Sequence, residues 1–116
     1  VIVLRGDLGS GKTTFTKAIC KALKIKKTVT SPTFTLLNVY KNSKITVNHL
    51  DLYRIYDTDE LANAGIDDIL YNTKNNELVI IEWPEIILKT LKKYVDIEIL
   101  KIDETTRQIN INKVGK

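Results

Sequence analysis

The sequence predicts one α/β domain, a mixed β-sheet flanked by helices, and three observations carry that expectation. Gly6-Asp7-Leu8-Gly9-Ser10-Gly11-Lys12-Thr13 satisfies the pattern G-x-x-x-x-G-K-[ST] at every fixed position,. Its flanks are those the pattern requires. The apolar, β-branched run over residues 1–4 suits a buried parallel strand,. Beyond the glycines, Phe15, Ala18, Ile19, Ala22 and Leu23 recur at the spacing of one helical face, with Lys17, Lys21 and Lys24 opposite,. The third observation is a second continuous apolar run that ends in an acid, Leu78-Val79-Ile80-Ile81-Glu82. A buried strand beside the first delivers such a carboxylate to the magnesium site of phosphate-loop proteins. The expected fold class is therefore P-loop NTPase-like.

The remaining elements follow in order. Residues 24–27 make a short basic exit from the first helix. Residues 28–35 read as extended, because Pro32 biases Ser31 away from helical angles and threonines favour β geometry,. That stretch is either a hydroxyl-rich switch, with Ser31, Thr33 and Thr35 as its candidates, or an edge strand with exposed threonines. Residues 36–40 and 44–50 suit two strands joined by Asn42-Ser43, with Ile45, Val47 and His49 on one face,. A hairpin implies antiparallel pairing, hence the mixed sheet. Asp51 falls where the second of these strands leaves the sheet, the usual place for a residue facing the ligand crevice of an open α/β fold. His49 by itself reads as a satisfied strand histidine.

Asp57-Thr58-Asp59-Glu60 has the form of an N-cap followed by acids, and Gly65 stands where a left-handed C-terminal cap belongs, so residues 58–64 form a short helix and 66–70 a further turn,. Residues 74–76 form a surface loop. After Glu82, Trp83-Pro84 stops the strand, and residues 85–94 read as a helix with Ile87, Leu88, Leu91 and Tyr94 inward,. Residues 95–102 and 107–111 alternate as a closing hairpin around Asp103-Glu104-Thr105, and 112–116 look frayed,.

A chain of 116 residues is one domain, with no apolar run near the roughly 18 residues that span a bilayer,. The single cysteine, Cys20, lies inside the first helix, which suits packing and a reducing compartment,. The net charge of +4 says little about nucleic acid, because 15 of the 18 basic residues are lysines spread along the whole chain,. There is no methionine and the chain opens on a core strand, so a natural N-terminal segment is expected to precede residue 1.

The chemistry of the motif explains its residue types. Gly6, Gly9 and Gly11 permit the angles and close approaches by which consecutive N–H groups turn onto phosphate oxygens. The helix beginning near Lys12 adds free N–H donors and the positive end of its dipole. Lys12, expected to pack little, would reach the β/γ-phosphates, and the Thr13 hydroxyl would ligate Mg²⁺.

Four segments together, Gly6-Asp7-Leu8-Gly9-Ser10-Gly11-Lys12-Thr13-Thr14, Ser31-Pro32-Thr33-Phe34-Thr35-Leu36, His49-Leu50-Asp51-Leu52-Tyr53-Arg54 and Ile81-Glu82-Trp83-Pro84-Glu85, resemble the TsaE (YjeE) family, the small ATPase of bacterial tRNA threonylcarbamoyladenosine synthesis. The likeness is close over residues 1 to about 85 and loose over the terminal hairpin. It implies a cytoplasmic protein that binds ATP and Mg²⁺ and hydrolyses ATP slowly. It would act in complex with the two related subunits that modify adenosine 37 of tRNA, touching tRNA at most indirectly and no membrane. By position, Asp7, Leu8, Gly9, Ser10, Gly11, Lys12, Thr13 and Thr14 would surround ATP, with Trp83 bordering it. Thr13 and Glu82 would hold Mg²⁺, and Asp51, with Lys12, would serve catalysis by acting on the attacking water. Ser10 stands where alanine is more usual in the family.

Two rivals differ in what they need. A small-molecule kinase generally wants a lid with arginines that clamp the transferred group, and Arg5, Arg54 and Arg107 are scattered,. A nucleotide-dependent binding module needs only that Mg·ATP order a loop for a partner. A GTPase is disfavoured, for the sequence has neither a D-x-x-G switch nor an N-K-x-D guanine reader.

Overall fold

The computed structural model describes residues 1–7, 9–32 and 35–115. Strand β1 (Ile2–Arg5) runs through the glycine segment into α1 (Lys12–Ala22), followed by β2 (Leu37–Lys41) and β3 (Thr46–Asp51). Two short helices, α2 (Thr58–Asn63) and α3 (Ile66–Tyr71), precede β4 (Glu77–Glu82). Two 3₁₀ turns, Pro84–Ile86 and Leu88–Thr90, lead to β5 (Tyr94–Lys101) and β6 (Arg107–Val114). All six strands form one sheet in the order β2-β3-β4-β1-β5-β6. The four inner strands are parallel, and each hairpin adds an antiparallel edge strand, so the sheet is mixed as expected.

Strand side chains alternate between faces, and this divides the core in two. Val3, Leu50, Val79 and Ile81 pack with Leu61 of α2 and Ile66 and Leu70 of α3. Leu4, Val47, Ile80, Ile97 and Ile99 pack with Cys20 of α1 and with Ile25 and Val29 beyond it. β4 is buried along most of its length, which is why it reads as an apolar run rather than as half-exposed alternation, whereas β3 is as buried although three of its six residues are Asn48, His49 and Asp51,.

Three local expectations are corrected. On α1 the buried positions are Lys12, Thr16 and Cys20, with Phe15, Ile19 and Leu23 half-buried against the core, while Ala18 and Ala22 are exposed. The helix is turned so that small Thr16 lies centrally over the sheet, its hydroxyl satisfied by the Lys12 carbonyl oxygen at 3.2 Å; an apolar count passes over such a residue. Residues 85–94 form no α-helix. The Ile87 N–H bonds to the Pro84 carbonyl and the Thr90 N–H to that of Ile87, both at 2.9 Å. These tight i→i−3 turns bury Ile87 and Leu91 at helix-like spacing while releasing Tyr94 to begin β5,. Finally, β6 continues to Val114, because the backbone ladder to β5 extends to the pair Tyr94↔Val114 whatever the polarity of the side chains. The N-cap of α2 is as expected, with Asp57 Oδ1 accepting the Asp59 N–H at 2.9 Å. Residues 28–32 form no strand. Among the described residues no helix is long and apolar enough to cross a membrane.

Candidate functional site

Two glycines shape the turn from β1 to α1. A Cβ on Gly6 would lie 2.6 Å from the Ile99 carbonyl oxygen and 2.5 Å from Ser10 Oγ, so the chain leaves β1 pressed against β5. Gly11, immediately before the helix, has φ 108, a left-handed value that disfavours any side chain,. Between them the Ser10 N–H bonds to the Asp7 carbonyl at 3.0 Å. Ser10 is buried, and its Oγ is the one buried side-chain polar atom without a partner among the described residues. The loop therefore draws nothing from that hydroxyl, which accounts for the fit of an alanine there.

Lys12 is not the loosely packed side chain that its role suggested: it is only 6% exposed. Its Nζ folds back on its own loop, donating to the carbonyl oxygens of Gly6 at 2.6 Å and Asp7 at 3.1 Å, and stands 4.2 Å from the centroid of the Trp83 ring. Burial lowers its pKa below the ordinary lysine value, against the opposing pull of Glu82, Asp51, Asp7 and Glu85,. The ammonium is therefore desolvated, with two loop carbonyls as its hydrogen-bond acceptors.

A cavity of about 300 Å³ opens at the N-terminus of α1, lined by Gly9, Gly11, Lys12, Thr13, Thr14, Ser31, Asp51, Glu82 and Trp83. Register explains the carboxylates. Asp51 and Glu82 are partners across the parallel strands β3 and β4, and Glu82 is in turn level with Leu4 at the end of β1. By strand alternation both acids share the face of Val47 and Ile80, the face that α1 covers,. Asp51 is anchored by the Tyr53 N–H, which donates to its Oδ1 at 2.9 Å. Thr13 Oγ1 stands 3.5 Å from Glu82 Oε2, and His49 Nε2 makes a short contact with the same oxygen. Trp83 adopts φ 55, a left-handed backbone that a bulky residue keeps only when its surroundings enforce it,. Here Lys12 lies over its ring and Tyr53 packs against it at 4.8 Å between centroids.

Among the described residues no three His, Cys, Asp or Glu side chains cluster closely enough to hold a metal alone. Mg²⁺ does not need such a cage, since it commonly takes one or two carboxylates and completes its shell with water and phosphate oxygens. Two acids and a threonine hydroxyl beside a helix N-terminus fit that donor set.

Not every candidate lines this cavity. Asp7 and Ser10 border an adjoining one of about 560 Å³, which shares Trp83 and includes Arg5, Glu85 and Glu98. Thr35 is engaged elsewhere, its Oγ1 donating to Asn38 Oδ1 at 2.9 Å. Leu8 and Thr33 lie outside the described residues. Two side chains at the site were given no role in it by sequence. His49 contacts Glu82, and a signal existed, for it stands two residues before Asp51 on one strand and so shares its face,. Arg107 Nε donates to the Ser10 carbonyl oxygen at 2.9 Å, tying β6 to the glycine loop from 97 residues away, a contact without local signature.

A parallel strand that passes through a glycine loop into a helix N-terminus, with acids from neighbouring strand ends on the same cavity, defines an α/β domain of the phosphate-loop class. The model of the family described as "Threonylcarbamoyl adenosine biosynthesis protein TsaE" matches residues 1–109, and the chain belongs to this TsaE family. The tRNA threonylcarbamoyladenosine biosynthesis protein TsaE of Aquifex aeolicus is 44% identical over 115 residues, covering 96% of this chain and 75% of that protein. Its namesake in Rickettsia prowazekii is 37% identical over 115 residues, covering 97% and 77%. The crystal structure of Bacillus subtilis YdiB superposes with a TM-score of 0.73 at 30% identity, over 98% of this chain and 68% of that one.

Proposed function

We propose that the cavity at the N-terminus of α1 binds ATP with Mg²⁺ and hydrolyses it. In this reading the chain serves threonylcarbamoyl modification of adenosine 37 in tRNA, in the cytoplasm. It drives turnover of a partner transferase formed by two related subunits and does not itself transfer the group. The observation that carries the ATP reading is the convergence of Lys12, Thr13, Asp51 and Glu82, from three separate segments, on one cavity. Membership of the TsaE family supports the pathway.

Each residue has a role in that reading. Lys12 exchanges its two loop carbonyls for phosphate oxygens, a stronger charge-assisted pairing,. The free N–H groups of the first turn of α1 receive the phosphates. Thr13 and Glu82 hold the metal, which when bound would neutralise developing charge on the phosphate oxygens. Asp51, one strand farther from the loop, orients the attacking water,. Trp83 borders the nucleotide. The test is ATP turnover by the purified chain across a Mg²⁺ titration, alone and with the two partner subunits. Mg²⁺-dependent turnover that changes on complex formation is expected. Turnover absent in both conditions would overturn the proposal, and turnover indifferent to the partners would remove the coupling.

A further inference from the structure

Behind the cavity wall a row of buried polar groups crosses the sheet beneath α1. His49 is fully buried in β3. One ring nitrogen, Nε2, contacts Glu82 Oε2 on β4, and the other, Nδ1, lies 3.4 Å from the Tyr40 hydroxyl on β2. Tyr40 is 1% exposed, and its hydroxyl donates to the Thr30 carbonyl oxygen at 2.9 Å while accepting the Thr30 N–H at 3.2 Å. Asn38 Nδ2 adds bonds of 3.2 Å to the Thr30 carbonyl and hydroxyl oxygens. The next residue, Ser31, lines the same cavity as Glu82. The row thus leaves the cavity at one wall and returns to it at another.

We propose that His49 and Tyr40 are positioning residues: they form a relay, Glu82–His49–Tyr40–Thr30, that fixes the Glu82 carboxylate and couples its placement to residues 28–32. The physical basis is geometric. Glu82 ends its strand, where its side chain would otherwise choose among rotamers, and an imidazole locked in the core selects one. A carboxylate so oriented presents its remaining coordination to the cavity, as the partners behind metal ligands do. Tyr40 makes two hydroxyl hydrogen bonds to one residue of a segment that has no strand to hold it, and its second lone pair is left toward His49 Nδ1,. Buried side chains in one hydrogen-bonded network respond together, so displacement at either end is felt at the other. The metal side of the inference rests on Glu82 as a Mg²⁺ ligand; the link to Thr30 does not.

Half-replacements of the imidazole separate the links. In His49→Gln the amide nitrogen reaches about as far as Nε2, keeping Glu82 and releasing Tyr40. In His49→Asn it sits near Nδ1, keeping Tyr40 and releasing Glu82. Tyr40→Phe cuts the far end without touching the carboxylate. Two quantities are read: the Mg²⁺ midpoint for binding a non-hydrolysable ATP analogue, and amide exchange at Thr30 in the free protein. The relay requires His49→Asn to raise the Mg²⁺ midpoint about tenfold or more. It also requires that variant to speed Thr30 exchange about twofold or more, although its Tyr40 contact remains. Tyr40→Phe must raise the midpoint about twofold or more, although Tyr40 is remote from the metal. His49→Gln should speed Thr30 exchange and raise the midpoint only about as far as Tyr40→Phe does, well short of His49→Asn. Purely local effects, with His49→Asn moving only the midpoint and Tyr40→Phe only the exchange, overturn the proposal. If His49→Asn does not fold, Tyr40→Phe decides alone. A wild-type chain whose analogue binding ignores Mg²⁺ refutes the role of Glu82, and Thr30 exchange in His49→Asn then decides the relay.

Discussion

Asp51 and Glu82 are register partners at the ends of adjacent parallel strands, on the face that α1 covers,. Neighbouring strands lie about 4.8 Å apart, so the two acids serve one cavity from unequal distances to the glycine loop. Glu82, next to β1, has its Oε2 3.5 Å from Thr13 Oγ1; Asp51 stands one strand farther out. Glu82→Gln is therefore expected to weaken Mg²⁺-dependent affinity for ATP, and Asp51→Asn to lower turnover more than binding. Titrating ATP against both variants at several Mg²⁺ concentrations checks this. Equal behaviour would mean that the two roles are shared or exchanged.

Lys12→Ala is expected to weaken ATP binding by about 10- to 150-fold, the loss of one charge-assisted hydrogen bond worth roughly 1.5–3 kcal/mol, and to abolish hydrolysis. The fold should survive, because the lost bonds to the Gly6 and Asp7 carbonyl oxygens are offset by removal of a desolvated charge,. Calorimetric titration and a thermal melt read the two halves separately. Hydrolysis near the normal rate would refute the assignment of the phosphate loop.

Trp83 is the only tryptophan, and the Lys12 ammonium lies over its ring. Transfer of Lys12 to phosphate would remove a cation from 4.2 Å above the indole, so its fluorescence should change on nucleotide addition, and the change should vanish in Lys12→Ala. An emission spectrum indifferent to saturating nucleotide would place Trp83 outside the binding event.

Gly6→Ala probes the fit of loop to sheet. The new Cβ would meet the Ile99 carbonyl oxygen at 2.6 Å, and backbone atoms cannot swing away. A loss of about 1–3 kcal/mol is expected, typical of overpacking, seen as a lower melting temperature. An unchanged melt would show that β1 and β5 separate freely at this end.

The sequence made the strands and the glycine loop legible because each is a local pattern: continuous apolar runs for β1 and β4, a turn between β2 and β3, and fixed glycines before α1. What it concealed was set by partners distant in the chain. Lys12 lies against Trp83 and in the field of Glu82 and Asp51, which neighbour it only through the sheet order. The true face of α1 is centred on Thr16, a polar residue whose hydroxyl is satisfied within the helix. Residues 85–94 have a periodicity that an α-helix and two successive 3₁₀ turns both satisfy, and the structure takes the turns. His49 was visible as a motif residue, yet its contact with Glu82 follows only from strand order.

Ser31 bears the remaining expectation, that residues 29–36 act as a switch ordered by the γ-phosphate and read by a partner. Ser31 lines the cavity and its neighbour Thr30 is tied to Tyr40, so an anchored residue stands directly beside one at the cavity wall. A ligand shifts such an equilibrium only by its differential affinity for the two states. A hydrogen bond to the charged γ-phosphate supplies about 1.5–3 kcal/mol, enough to favour the ordered segment by roughly tenfold or more. ADP lacks that group. Amide exchange over residues 29–36 should therefore slow with a non-hydrolysable ATP analogue and much less with ADP. Equal protection by both nucleotides would leave the segment as scaffold, since a rigid loop has no reason to distinguish them.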